Sequence, residues 1–269
     1  SVVSSTLVGA VFGLLLELFQ KRRVYLLSAS LLGFFALALP ELLPNQIDNK
    51  LVTMMPILDD IMLRIHTVLI ISSYAVITLP YGVANCYLFV SAFRDRRPLA
   101  QATIGAQLGA ILWLLLARYD YFSEASVQTV ITAAALSLTG GALLFAGICS
   151  LLLRRRVGFD RADFPIQKSI LEEFDLSHRV LLYTAMIALF VGLVLGAVWA
   201  DYSWGRPWGW DPKEVFALET WLIYALLIHV RFVTRQRALW TSVLSVFGFA
   251  AMQFNWWVVN FYIVGLHSY

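Results

Sequence analysis

Eight stretches of this chain are apolar for long enough to cross a bilayer: 2–19, 24–40, 62–90, 99–117, 127–153, 180–200, 215–233 and 239–259. A spanning helix needs about 20 mostly apolar residues, and lipid offers no partner for a backbone that is not hydrogen-bonded to itself. The pattern predicts an all-α polytopic membrane protein of about eight transmembrane helices, read as one integral membrane domain over residues 1–269. Composition agrees, with 60% hydrophobic and 14% charged residues where soluble domains carry about one quarter charged. The net charge of +3 does not point to a nucleic-acid partner. Cys86 and Cys149 lie inside apolar runs with no CxxC or CxxCH, so they read as buried thiols in membrane helices. The chain starts at Ser1 without Met or a signal-peptide layout, as expected of a processed chain or a fragment.

The connectors alternate in charge. Fifteen of the twenty Lys and Arg residues fall at 21–23, 94–97, 154–179 and 231–237. The positive-inside rule puts those connectors in the cytoplasm. Residues 40–50, 117–126 and 202–214, with both chain ends, then face outward, and this one orientation satisfies every connector. The 154–179 stretch is expected to be a cytoplasmic connector with a short amphipathic helix around Ile170–Phe174.

This topology sorts the four histidines by depth. His66 opens the 62–90 run on the outer side, and His267 follows the last run on the same side. Two imidazoles at one level can ligate one haem iron from opposite faces; alternatively, each is an ordinary interfacial ring. His229 lies fifteen residues past Glu214, about 22 Å further in at 1.5 Å per residue. An ionisable group there is a functional candidate by default. His178 sits at the cytoplasmic mouth of the 180–200 run, beside Ser177 and Arg179, and reads as an interfacial residue.

Between the sixth and seventh runs stands WGRPWGWDPKE, residues 204–214. Trp204, Trp208 and Trp210 offer flat apolar faces that can border a porphyrin plate. Arg206 or Lys213 can meet propionates, Gly205 and Gly209 permit close backbone approach, and Pro207 and Pro212 stiffen the turn. Asp211 can cap the following helix, with Glu214 in its first turn. The rival reading is an aromatic belt at the membrane interface, which also suits Trp256 and Trp257. Belts, however, need no WxxxWxWD order.

These residues resemble the WWD domain of haem-handling proteins in cytochrome c biogenesis, in particular the CcsA (ResC) family of the two-part CcsB–CcsA synthetase. GAVWADYSWGRPWGWDPKEVFALETWLIYALLIHVR (196–231), MLRIHTVLIISSYAVI (62–77) and NFYIVGLHSY (260–269) carry the resemblance, while the first fifty residues match only in character. Phe216 stands where the family commonly has Trp. The resemblance implies that His66 and His267 are the outer axial ligands of haem b beside the WWD loop. It implies that Trp204, Trp208, Trp210, Asp211 and Arg206 border the haem. His229 falls on the intramembrane histidine, whose partner histidine lies on a CcsB/ResB-like subunit. His178 falls where an aromatic residue is usual, so no ligand role passes to it.

The implied protein is a holocytochrome c synthase subunit in a bacterial inner or thylakoid-type membrane. Haem would enter from the cytoplasmic side and be presented outside to the CxxCH of an apocytochrome c. Its thiols would be kept reduced by other proteins, since this chain has no dithiol. Two other functions stay open on the residues. One is a b-type cytochrome electron-transfer subunit holding haem permanently. The other is a small-solute transporter without haem, with Glu17 and Glu219 as gating charges.

Overall fold

The computed structural model describes residues 2–20, 25–26, 30, 61–118, 127–154, 168–259, 263 and 265. Among them are seven α-helices and no strand. They are α1 (Val2–Gln20), α2 (Ile61–Phe93), α3 (Pro98–Arg118), α4 (Val127–Arg154), α5 (Lys168–Trp204), α6 (Pro212–Val233) and α7 (Arg237–Phe254). A π-helical turn, Asn255–Val259, closes α7. Five of the helices, α2 to α6, are long and apolar enough to cross a membrane. These and α1 follow the expected runs to within a few residues, apart from the start of α5, and the expected run 24–40 lies almost wholly outside the described residues. Large apolar side chains such as Leu143, Phe232 and Val233 are 75–87% exposed, as suits a surface solvated by lipid.

The start of α5 differs from expectation. Residues 168–179, expected as the second half of a polar connector with a separate short helix around Ile170–Phe174, are helical throughout and run into the span without a break. Their polar groups find partners across the bundle. Asp175 accepts two bonds from Arg231 of α6, at 2.7 and 2.8 Å, and His178 meets the Ser245 hydroxyl of α7 at 2.7 Å. Polar residues that are satisfied by neighbouring helices need not end a helix.

The described residues form two compact units, those within 1–84 and 173–269, and those within 85–172. In the first unit, α2 and α5 run antiparallel. His66 and Ile70 meet Gly196 and Gly192, and further along Leu79 and Val83 cluster with Leu181. Its core joins Tyr74, Val76 and Ile77 of α2 with Leu182, Ala185 and Leu189 of α5, Tyr224, Leu227 and Ile228 of α6, and Met252 of α7. The spacings 182/185/189 and 217/220/224/227 are those of one buried helical stripe. Small residues of α7 let it approach α6 closely, as is usual for membrane helices. A Cβ at Gly248 would stand only 3.1 Å from the Tyr224 ring.

The second unit is built on an antiparallel pair. Gly105 and Gly109 of α3 lie against Gly141 and Ser137 of α4, so closely that a Cβ at any of the three glycines would strike backbone. Polar side chains tie its connections: Gln101 donates to the Ala92 carbonyl at 2.9 Å and Gln107 to Asn85 at 2.9 Å.

Candidate functional site at the tryptophan loop

The loop occupies residues 205–211, between α5 and α6. Gly205, at φ +70°, ends α5, and its N–H donates to the Asp201 carbonyl at 2.9 Å. A left-handed glycine is the usual helix stop. At the other end Asp211 caps α6 as anticipated. Its carboxylate accepts from the Lys213 N–H at 3.3 Å, while Glu214 reaches back to the N–H groups of Asp211 (3.2 Å) and Gly209 (2.8 Å). Pro212 supplies a first helical residue that needs no donor. Two acidic residues therefore hold the loop's descending arm by its backbone.

Its aromatic side chains have different tasks. Trp204 packs edge-on against the buried Trp199 of α5, centroids 5.0 Å apart, and anchors the loop. Trp208 meets Trp210 at 90°, 6.2 Å apart. Trp210 is 77% exposed and takes φ +56°, a region that bulky residues rarely adopt. A strained backbone that displays a large apolar ring suits a binding surface better than a packing role. The exposed Arg206 turns its guanidinium over Gly209.

His66 reaches this end of the unit from α2. Its Nδ1 lies 2.9 Å from the Gly192 carbonyl, and its ring rests on Gly196. Gly192, Gly196 and Trp199 share one face of α5, at spacings of four and three. Among the described residues, the buried indole N–H of Trp199 has no hydrogen-bond partner. None of these three α5 residues was singled out from the sequence. Only the GxxxG spacing inside GLVLG hinted that another group approaches there.

Gly265 lies against the loop. A Cβ at Gly265 would collide with the Asp211 carboxylate and stand 3.0 Å from Pro212 Cδ. Asn255, in the π-helical turn, donates to the Tyr74 hydroxyl at 2.7 Å and ties the end of α7 to α2. His267 itself lies outside the described residues.

The other two histidines lie apart from the loop. His229 is exposed on α6, its Nδ1 2.7 Å from the Ala225 carbonyl and its ring edge-on to Phe232. His178, expected as an interfacial ring, is 2% exposed and bonded to Ser245. Of the two carboxylates considered for a transporter, Glu219 is exposed on α6, and Glu17 accepts the Leu26 N–H at 3.2 Å.

Known proteins bear on this arrangement. A protein named cytochrome c biogenesis protein CcsA from Synechococcus sp. (strain JA-3-3Ab) is 28% identical over 245 residues, 90% of this chain and 66% of its own length. The CcsA of Prochlorococcus marinus (strain MIT 9312) is 42% identical over 111 residues, 41% of this chain and 35% of its own. Protein NrfI of Wolinella succinogenes is 38% identical over 111 residues, 41% of this chain but 12% of that protein. The chain thus spans less than two thirds of the length of each. The family described as "Cytochrome C assembly protein" matches residues 2–267, and the chain belongs to that family.

Proposed function

We propose that this protein binds haem b at the tryptophan loop and presents it for thioether attachment to the CxxCH of an apocytochrome c. The observation that carries the reading is the setting of His66. A carbonyl only accepts, so the neutral ring keeps its proton on Nδ1 and its lone pair on Nε2, the form an iron ligand needs. The exposed indole of Trp210, and the N–H of Trp199 that has no partner among the described residues, support a flat guest with acceptor groups at the same end. The names of the CcsA relatives, cytochrome c biogenesis proteins, support the process.

In this reading His66 and His267 are the axial ligands. Trp204, Trp208 and Trp210 border the plate, and Arg206 meets a propionate. Asp211 acts through the loop it caps. Each substrate thiol adds across a vinyl group: one S–C bond forms, the thiol proton goes to the other vinyl carbon, and no oxidant is consumed. The substrate thiols must be reduced beforehand by thiol-reducing proteins. The chain's contribution is ligation and positioning, as part of a holocytochrome c synthase.

The reading extends to one haem-handling domain of eight spans in a bacterial inner or thylakoid-type membrane, with the loop, His66 and His267 outside. His229 then serves an inner site shared with a CcsB/ResB-like subunit, through which haem arrives from the cytoplasmic side. The Nδ1–H of His229 is engaged by its own helix, which favours Nε2 as a ligand on the exposed face.

The test is the absorption spectrum of protein purified from haem-replete cells, oxidised and reduced, beside His66→Ala and His267→Ala. A Soret band and sharp reduced bands, diminished in either variant and restored by imidazole, are expected. Wild-type protein without haem would sink the proposal.

A further inference from the structure

We infer that Gly196 of α5, by leaving room for the ring to reach the main-chain carbonyl of residue 192, is a positioning residue for His66, selecting Nε2 as its ligating atom and fixing the direction in which that atom points. The inference rests on the reading of His66 as an iron ligand. The ring belongs to α2, yet its Nδ1 bonds the backbone of another helix 126 residues away. A cross-helix bond fixes the ring's rotation as well as its tautomer, whereas His229, bonded to its own helix, is fixed relative to α6 alone.

Gly196 makes the approach possible. A Cβ there would lie 2.5 Å from Cε1 and 2.8 Å from Nδ1 of His66, far inside contact distance. Any larger residue displaces the ring from the Gly192 carbonyl. Gly192 contributes its carbonyl, which every residue has. Its own Cβ would meet chiefly the terminal carbon of Ile70, at 2.7 Å, a flexible group able to turn aside. Two glycines one helical turn apart thus have unequal consequences, and this inequality separates positioning of His66 from ordinary helix packing.

The bond has a chemical effect too. An imidazole that donates its distal N–H to a carbonyl is more basic and stabilises ferric over ferrous iron. Losing that bond raises the midpoint potential.

Gly196→Ala and Gly192→Ala are compared with wild type in haem content and midpoint potential. Gly196→Ala is expected to retain less haem and to shift the potential upward, while Gly192→Ala stays close to wild type. Equal behaviour of Gly196→Ala and wild type, or equal damage in both variants, overturns the inference. A second measurement does not depend on Gly196→Ala folding. His66→Gly is supplied with imidazole or with 1-methylimidazole, which ligates equally but has no N–H for Gly192. Imidazole is expected to restore the spectrum at a concentration roughly five- to tenfold lower, the worth of one hydrogen bond. Equal rescue by both sinks the inference alone, whereas wild-type protein free of haem removes the functional reading beneath it.

Discussion

The two ends of the first unit contain similar residues used in opposite ways. At the loop end an indole is held out at 77% exposure on a left-handed backbone, and His66 is half-buried against two glycines. At the far end the polar groups close on one another. Arg231 of α6 grips Asp175 of α5 with both nitrogens and touches Thr241 of α7 at 3.1 Å, while His178 of α5 is bonded to Ser245 of α7. Along α5, Asp175 and Gly192 stand about 25 Å apart at 1.5 Å per residue. One end is a clasp across three helices; the other presents its groups. A histidine is therefore not a candidate ligand by its type. His178 already has its Nε2 bonded to Ser245, whereas the Gly192 carbonyl engages Nδ1 of His66.

The sharpest way to break this contrast is to open the clasp. Arg231→Ala removes the bidentate partner of Asp175 and leaves it only the longer contact with Arg179 at 3.6 Å; stripping a fully buried charge of its partner costs about 3–5 kcal/mol. The two side chains are 11% and 19% exposed, so the lower end of that range applies. Thermal unfolding in detergent should show a clear drop in Tm, while haem bands in the folded fraction stay unchanged. A spectral change equal to that of His66→Ala would mean the two ends are not separate.

Next in size is the exchange of histidines. His178→Ala strands the buried Ser245 hydroxyl and leaves a void, a loss of about 2 kcal/mol. Its haem spectrum should match wild type. His66→Ala should do the reverse, with a small change in stability and a large loss of haem absorbance. Scoring both variants by both measurements gives a crossed pattern if the ends differ in kind, and a parallel one if they do not.

Much of this was legible beforehand because local rules governed it. Apolar run lengths gave most of the helices, and the WDPKE order gave the cap on α6 with Glu214 three residues after Asp211. The position of His66 at the loop end followed from counting helices. Cross-helix chemistry was not legible. Nothing in the spacing of DLSHR says that Asp175 meets Arg231 or that His178 is buried, so 168–179 reads as a connector with only a short helix around Ile170–Phe174, although all of it belongs to α5. The Gly192 and Gly196 seat was equally hidden, since its meaning lies in a ring supplied by another helix. Nor does any linker composition mark the division at residues 84 and 172.

Glu214 tests how the presenting end is held. Its carboxylate accepts the N–H groups of both Gly209 and Asp211, one more bond than a simple capping box. Glu214→Ala should lower stability by about 1 kcal/mol, as for a lost cap, and free the arm that carries Trp208 and Trp210. Hydrogen exchange at residues 209–213 should accelerate while the far end of α6 stays protected. Uniform acceleration along α6 would show that the loop is not held separately.

The smallest effect on stability is expected at Trp210, and it bears most directly on what the strained residue is for. A non-glycine at φ +56° loses about 1 kcal/mol relative to glycine, and the exposed ring recovers little of it by burial. Glycine adds a comparable entropic penalty from the unfolded chain. Trp210→Gly should therefore unfold within about 0.5 kcal/mol of wild type. Trp208→Gly, which removes a partly buried ring, should be less stable by more than that. If Trp210 is displayed for a guest, the same substitution weakens haem retention several-fold at unchanged Tm. Unchanged retention would leave the strain at residue 210 without a role in binding, and the indoles at 204 and 208 would have to border the haem alone.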